Sequence, residues 1–342
     1  MKKWILSSLV TTSLLFTAAC GGGDDTGNAE GGDSGGDSQD DVTLRLAHTG
    51  SDSHQYNIAA EKFKELVEEK TDGSVTIEIH GNANLGSEDE AVEQILDGTL
   101  DMTTVAADSS FSNTVPVMNV FGIPYIFEDR DHVYSVLDGE IGQDLLSQAE
   151  EKNMKALGYW EVGFRHLTNN ETEITTPGDM EGLSIRVQPS KVWEAHMEAL
   201  GASPTPVDFN ELYSALDQGV VDGQENPLPT IDSMKFYEVQ DYVSLTAHTY
   251  SPAITVASSN AWDKLSEEQQ TAVQEAVDET TEYQREELQN KEEEIMQTLE
   301  ENGVTITEDP DREAFREATS GVKDVLSEEV PSSLLEEIEA AK

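Results

Sequence analysis

The sequence has little cysteine and little positive charge. Cys20 is the single cysteine among 342 residues, which excludes a disulfide, a four-cysteine metal site and a catalytic thiol within the fold. The 20 lysines and arginines are outnumbered by 69 acidic residues, and the formal net charge is −49. We interpret this acidity as a solvated surface, which excludes nucleic acid as a partner and repels anions at long range. A binding site for an anion must therefore be local, dry and built from arginine.

The motifs of common enzymes are also missing from the sequence. There is no Gly-x-Ser-x-Gly turn, no His-Glu-x-x-His pair and no glycine loop that would cradle a phosphate. The seven histidines show no spacing typical of metal ligands. The sequence thus favours a binding protein over an enzyme, with no cofactor and no metal.

The N-terminus carries a secretion signal. A short basic start precedes an apolar segment at 4–16 that is too short to span a bilayer, and small residues then lead to Cys20. This pattern resembles a lipobox and predicts a lipoprotein signal peptide over 1–19 with a lipid on Cys20. The alternative is ordinary cleavage near Ala19, which would release the protein. Residues 20–41 are acidic and rich in glycine and serine, so we expect a flexible tether.

The remaining residues, about 300, suit two domains. Apolar alternation predicts strands at 42–48, 74–80 and 101–106, and helical spacing predicts helices at 53–70 and 88–97 between them. This order of elements implies a mostly parallel sheet flanked by helices.

The second half repeats the α/β alternation. Strands are predicted at 154–160 and 164–168, and the later elements include a strand at 183–187 and a helix at 210–218. A charged helix is predicted from Ser266, which is an N-cap signal, through Glu301. Its apolar residues hold no clean heptad, so we expect a helix that lies across both domains of a monomer rather than a coiled coil.

Three motifs follow one another between 158 and 227. The first is Gly-Tyr-Trp-Glu-Val-Gly-Phe-Arg at 158–165, the second is Leu-Ser-Ile-Arg-Val at 183–187, and the third is a predicted loop, Val-Asp-Gly-Gln-Glu-Asn-Pro, at 221–227. Arginine is a planar, permanently charged fork that matches a carboxylate with two parallel hydrogen bonds. On pattern alone, however, an exposed or edge-strand arginine is the ordinary interpretation of Arg186.

In their order, these motifs resemble the DctP-type solute-binding proteins of tripartite ATP-independent periplasmic (TRAP) transporters. The resemblance covers the chain from about Val42 to the C-terminus. It implies a periplasmic-binding-protein-like α/β fold with a ligand cleft between two domains and a long helix that crosses both. Domain I would comprise 42–162 plus about 252–291, and domain II would comprise 163–251 plus about 292–342.

The resemblance also implies roles for individual residues of domain II. Arg186 would clamp the carboxylate of an organic acid, and Arg165 would be a second arginine on the ligand side, or else part of an interdomain salt bridge. Asn226 would contact the ligand, or else cap a loop. Phe209 would stack on the ligand, or else be a core aromatic.

Domain I would contribute weaker contacts. His48 ends the first strand, where the family has a polar residue that faces the ligand. Glu88 occupies a place where some members use an acid to bind hydroxyl or amino groups, although a surface glutamate at a helix start is equally compatible with the sequence. Sialic-acid-binding relatives carry a glutamate where this chain has Ala106, which argues against sialate.

The function implied by the resemblance is capture of an organic acid anion for delivery to the TRAP membrane permease. The ligand would be a C4-dicarboxylate or a sugar acid such as glucuronate. The protein would work on the extracytoplasmic face of the membrane, held by its lipid. Another class of function is a sensor that presents a bound anion to a signalling receptor, and a secreted enzyme is a third.

Overall fold

The computed structural model describes residues 41–342, so the predicted signal peptide, Cys20 and nearly all of the tether lie outside the described residues. The described strands are β1 (Val42–Ala47), β2 (Val75–His80), β3 (Met102–Ala106), β4 (Met154–Asn169), β5 (Ser184–Val187), β6 (Ser203–Pro206), β7 (Gly223–Pro227), β8 (Tyr242–Ser244), β9 (Tyr250–Ser258) and β10 (Thr305–Thr307). The described helices are α1 (Gln55–Lys70), α2 (Glu88–Leu96), α3 (Arg130–Leu137), α4 (Glu140–Ser147), α5 (Lys191–Ala199), α6 (Leu212–Asp217), α7 (Leu228–Ser233), α8 (Ser259–Trp262), α9 (Glu267–Glu301), α10 (Arg312–Thr319) and α11 (Ser332–Ala340).

The strands form a mixed sheet in the order β2-β1-β3-β9-β4-β7-β5-β6. Its two flanks are parallel: β1 pairs with β2 and β3, and β5 pairs with β6 and β7. Its centre is antiparallel, because β9 runs against both β3 and β4, and β4 runs against β7. Each parallel flank therefore comes from one α/β repeat of the sequence, and the long central strands join them.

Strand β4 is one continuous element of 16 residues where the sequence predicted two strands. The pairing with β9 shifts register between Glu161 and Gly163, and Gly163 has a φ of +123°. A glycine adopts this backbone conformation without strain, which lets the strand continue through the irregularity. As a result β4 pairs with β9 along its first part and with β7 along its last part.

The structure has a strand, β7, where the sequence predicted a loop at 221–227. Its residues Gln224, Glu225 and Asn226 are buried although all three are polar. The sequence did not show a strand here because apolar alternation is absent. The polar side chains are satisfied inside the sheet, as when the Nε2 of Gln224 donates to the Oγ1 of Thr168 at 3.0 Å.

Helix α9 confirms the long helix expected from the sequence. Ser266 caps it, and the side chains and backbone amides of Ser266 and Gln269 form a reciprocal capping box. Its first half buries Val273 and Val277 in a core shared with α1 and β1, and its last half buries Leu299 in a core shared with α6 and α7. The helix thus spans two hydrophobic cores. Each helix described within residues 41–342 is too short or too polar to span a bilayer.

Candidate functional site

A cavity lies where the carboxyl ends of β5 and β7 meet the starts of α1 and α2. Five of the six ligand-binding residues expected from the sequence line it: Arg165, Arg186, Phe209, Asn226 and Glu88. The other lining residues are His54, Tyr56, Ser87, Asp89, Ala106, Ser109, Ser110, Val162, Gln188, Pro189, Asp208 and Thr230. The cavity therefore joins side chains from distant parts of the chain.

Arg186 lies on β5, between Ile185 and Val187. Both neighbours belong to the hydrophobic core, and strand alternation places Arg186 on the opposite face. Strand β5 is an interior strand between β7 and β6, and the arginine is 2% exposed. Arg186 is therefore neither an exposed nor an edge-strand residue.

The guanidinium group of Arg186 lacks a counterion. Its Nε donates to the carbonyl oxygen of Val207 at 2.8 Å. Within residues 41–342, neither of its two terminal nitrogens has a hydrogen-bond partner, and no carboxylate forms an ion pair with it. Burial lowers the pKa of Arg186 to about 10, despite the attraction of Glu225. The group is still a cation at neutral pH, and its two terminal nitrogens are free to donate at the cavity.

Arg165 on β4 is equally buried, but its charge is neutralised. Its Nη2 donates to the Oε1 of Glu225 at 2.8 Å, and its Nε also contacts that carboxylate. Further contacts are with the Oδ1 of Asn226 at 3.2 Å and the Oγ of Ser251 at 3.3 Å. The guanidinium lies 5.0 Å from the ring centre of Trp193. Arg165 thus forms a salt bridge, and Glu225 is its partner.

The electrostatics of this pair follow from burial and contact. Burial opposes the charge on Arg165, but the attraction and hydrogen bonds of Glu225 outweigh it and raise the pKa of Arg165. Burial likewise opposes the charge on Glu225, but the attraction of Arg165 outweighs the effect of burial and lowers the pKa of Glu225. His248 lies 3.3 Å from the same carboxylate, although burial lowers the pKa of this histidine. The pair is therefore ionised.

Asn226 and Phe209 line the cavity beside the arginines. Asn226 is a strand residue with both ends of its amide engaged, since its Nδ2 donates to Gln224 at 2.5 Å and its Oδ1 accepts from Arg165. Phe209 is half-buried, and its ring makes edge-to-face contacts with His54 at 5.8 Å and Phe236 at 6.3 Å. The ring is thus packed against two other aromatic rings while the residue lines the cavity.

Glu88 lies at the first position of α2 and faces the cavity. Its carboxylate accepts from the hydroxyl of Thr49 at 3.2 Å and from the backbone N–H of Ala106 at 3.1 Å. Burial raises the pKa of Glu88 to about 7, in spite of these hydrogen bonds. It therefore differs from a solvated glutamate at a helix start.

His48 is absent from the lining residues. Its Nε2 contacts the Oδ1 of Asn57 at 3.2 Å, and its ring centre lies 6.4 Å from that of Tyr56, which does line the cavity. Burial lowers the pKa of His48 to about 4, so the imidazole is neutral. Its contact with the cavity is through Tyr56.

Sequence reasoning missed several lining residues, and Gln188 and Ser109 matter most for the site. The hydroxyl of Ser109 donates to the Oε1 of Gln188 at 2.8 Å. Gln188 stands two residues after Arg186, just beyond the end of β5, and continued strand alternation would place both on one face. That spacing was a signal available in the sequence. For Ser109, which follows β3, no comparable signal exists. Within residues 41–342, no cluster of histidine, cysteine or acidic side chains suits a metal ion.

Comparison with known proteins shows the family of this chain. The profile of the family described as bacterial extracellular solute-binding protein, family 7 (DctP), matches residues 46–329. The 2,3-diketo-L-gulonate-binding periplasmic protein YiaO of Escherichia coli (strain K12) is 36% identical over 290 residues, which are 84% of this chain and 88% of that protein.

Solved structures show the same relationship. A TRAP periplasmic solute-binding protein from Polaromonas sp. JS666, bound to D-erythronate, is 36% identical with a TM-score of 0.85, covering 88% of this chain and 99% of that one. A TRAP periplasmic solute-binding protein from Sulfurospirillum deleyianum DSM 6946, with bound succinate, is 32% identical with a TM-score of 0.84. The match covers 89% of this chain and 100% of that one.

Fold and site together define an extracytoplasmic solute-binding protein. The chain belongs to the DctP family, the solute-binding proteins of TRAP transporters. This membership confirms the family resemblance and the α/β fold class expected from the sequence. It places the chain among transport proteins rather than enzymes.

Proposed function

We propose that this protein captures an organic acid anion by placing its carboxylate on Arg186 and then delivers the anion to a TRAP membrane permease. One observation carries the proposal: a buried arginine presents two unpaired nitrogens at a cavity. A buried charge without a partner is costly, and a ligand carboxylate would supply the missing counterion with two parallel hydrogen bonds. Each charge-assisted bond contributes about 1.5–3 kcal/mol, so one such clamp plus a few polar contacts is compatible with micromolar affinity.

The lining favours a sugar acid, such as glucuronate, over a C4-dicarboxylate. Among the described lining residues, Arg186 is the one arginine without a carboxylate partner, because Glu225 neutralises Arg165. The acids Glu88 and Asp208 also line the cavity. Both would accept hydrogen bonds from ligand hydroxyls. Asp208 would also repel a second carboxylate, whereas Glu88, with its raised pKa, would do so only once it has lost its proton. The relatives named for 2,3-diketo-L-gulonate and bound to D-erythronate support this choice, whereas the one with succinate supports the dicarboxylate.

The remaining site residues would have supporting roles. Asn226 and Phe209 would contact the bound acid by hydrogen bonding and by stacking, and Arg165 would make a secondary contact while it holds Glu225. His48 would act through Tyr56 rather than by touching the ligand. These assignments extend the family pattern to the residues that the cavity brings together.

Two domains would close over the ligand, divided as 42–162 plus about 252–291 and 163–251 plus about 292–342. Hydrogen bonds already connect the two parts in the structure, as closure would require. The Nε2 of Gln55 donates to the Oγ1 of Thr230 at 2.7 Å, and the hydroxyl of Ser51 donates to the carbonyl oxygen of Ser233 at 3.0 Å. Hinge closure of this kind would bury the bound anion.

A lipid on Cys20 would hold the protein at the extracytoplasmic face of the membrane. The support is the lipobox-like N-terminus followed by a polar tether. Mass spectrometry of membrane-extracted protein should find a diacylglyceryl group on an N-terminal Cys20 peptide. Recovery of an unmodified mature chain only from the medium would contradict the anchor.

A thermal-shift screen tests the proposed ligand class. D-glucuronate, D-erythronate and succinate are compared with D-glucose, which resembles glucuronate but lacks the carboxylate. A ligand that binds only the native state raises the melting temperature, so the two sugar acids should raise it more than succinate, and glucose should leave it unchanged. A shift with glucose equal to that with glucuronate would contradict a carboxylate clamp, and a shift with succinate alone would establish the dicarboxylate.

A further inference from the structure

Gln188 has an incompletely satisfied amide beside the cavity. The residue is 7% exposed, and it lines the cavity two positions beyond Arg186. Its Oε1 accepts the hydroxyl proton of Ser109. Its Nε2 is buried and has no hydrogen-bond partner within residues 41–342. Thus one half of the amide is held in place, while the other half offers two unused N–H donors.

An unused buried donor carries a free-energy cost, because the amide has lost its hydrogen bonds to water. Glutamine commonly avoids this cost by rotating toward a partner, but the bond from Ser109 fixes this side chain. The terminal nitrogens of Arg186, two residues earlier in the chain, line the same cavity and are also donors without a partner within residues 41–342. Two adjacent sets of donors without an acceptor fit a ligand that supplies acceptor oxygens.

Ser109 connects this donor to the other side of the cavity. Ser109 follows β3, whereas Gln188 follows β5, and these strands lie on opposite flanks of the sheet. The hydrogen bond between the two side chains therefore joins separate flanks next to the site. A ligand held by the Nε2 of Gln188 would orient the same amide that accepts from Ser109.

We propose that Gln188 is a ligand-binding residue whose Nε2 donates to an oxygen of the captured acid, next to the carboxylate on Arg186, while its Oε1 holds Ser109 across the cavity. The inference rests on the proposed function and adds a specificity contact to it. The preferred oxygen is the carboxylate itself or a hydroxyl on the adjacent carbon, as in a sugar acid. Ser109 is a positioning residue that acts through Gln188.

Calorimetric titration of D-glucuronate into the full mature chain tests this role. Gln188→Met preserves the side-chain volume and removes both donors, and it should weaken binding by about ten- to a hundredfold, the range for a hydrogen bond to a charged group. Gln274→Met is the matched control. Gln274 lies on α9, outside the cavity, and its Nε2 donates to the carbonyl oxygen of Leu157 at 2.7 Å. This variant should therefore bind as the parent does.

A double-mutant cycle tests the positioning role of Ser109. Ser109→Ala should weaken binding less than Gln188→Met, and adding it to Gln188→Met should cause no further loss, since its effect passes through the amide. Gln188→Ala replaces Gln188→Met if circular dichroism shows that the methionine variant is unfolded. In the parent, the side-chain amide signal of Gln188 in a ¹⁵N spectrum should shift on saturation with ligand.

The outcomes separate this inference from the proposed function. If the parent binds glucuronate and folded Gln188→Met binds equally tightly, Gln188 does not contact the ligand, and the assignment of Arg186 stands. Additive losses in the cycle would show that Ser109 acts independently of Gln188, which overturns the link between them. If the parent binds none of the acids in the screen, the proposed function fails, and this inference fails with it.

Discussion

Arg165 and Arg186 lie in similar positions but in opposite electrostatic surroundings. Both are strand residues, both are 2% exposed, and both line the same cavity. Arg165 contacts the carboxylate of Glu225 through two nitrogens, whereas Arg186 binds only the carbonyl oxygen of Val207. Burial therefore does not distinguish the two arginines. The presence or absence of a counterion does.

The two surroundings also predict opposite contributions to stability. Removing one member of a buried, hydrogen-bonded ion pair leaves an uncompensated charge, which is strongly destabilising. Removing a buried cation that has no partner relieves an existing cost. The fold therefore depends on keeping both members of the Arg165–Glu225 pair together, whereas the unpaired charge of Arg186 opposes folding.

The largest effect on stability is expected from Arg165→Ala. The substitution leaves Glu225 buried without its cation, so the free energy of unfolding should fall by about 3–5 kcal/mol. Denaturant unfolding measures this value. The double variant Arg165→Met with Glu225→Gln removes both charges and should regain most of the loss. A loss below about 1 kcal/mol for Arg165→Ala would show that the ion pair is not structural.

A much smaller effect on stability is expected from Arg186→Ala. Without ligand, the free energy of unfolding of this variant should lie within about 1 kcal/mol of the parent's, or above it, because an unpaired buried charge is removed. The same variant should lose binding of the acid in a titration. If Arg186→Ala destabilised the empty protein as much as Arg165→Ala does, the contrast between the two arginines would be wrong.

A further effect on stability is the pH dependence caused by Glu88. Its pKa is raised from 4.5 to about 7, so the folded state keeps a proton that the unfolded state has lost between those values. Stability therefore falls as pH rises through this window and is constant above it. The Glu88→Gln variant has no titrating group at this position, so its stability relative to the parent should be greater at about pH 8 than at about pH 5. Equal differences at both pH values, from denaturant unfolding, would contradict the raised pKa.

Apolar periodicity predicted the fold well where strands and helices are amphipathic. Strand β1, helix α1 and the capped start of α9 all follow the sequence pattern closely. Strand β7 escaped prediction because its buried residues are polar and are satisfied only by tertiary partners such as Thr168. The continuity of β4 escaped prediction because Gly163 signals a break in sequence, while the structure uses it within the strand.

The candidate site could be predicted only in part. The family resemblance, carried by the order of the motifs, singled out Arg186, whereas its pattern alone suggested an exposed arginine. No sequence pattern shows that its terminal nitrogens lack a counterion. The partner of Arg165 is 60 residues away on a strand that was predicted as a loop, so the ion pair could not be derived from sequence. Ser109 likewise meets Gln188 only through the fold.

The most direct test of the central claim is calorimetric titration of Arg186→Lys with the acid that binds most tightly in the screen. Lysine keeps the charge but loses the planar two-bond match to a carboxylate, so binding should weaken at least about tenfold, or about 1.4 kcal/mol. Arg165→Lys, titrated alongside, should lose less, since its main partner is Glu225. If Arg186→Lys remained folded and bound as tightly as the parent, Arg186 would not be the clamp, and Arg165 would become the leading candidate.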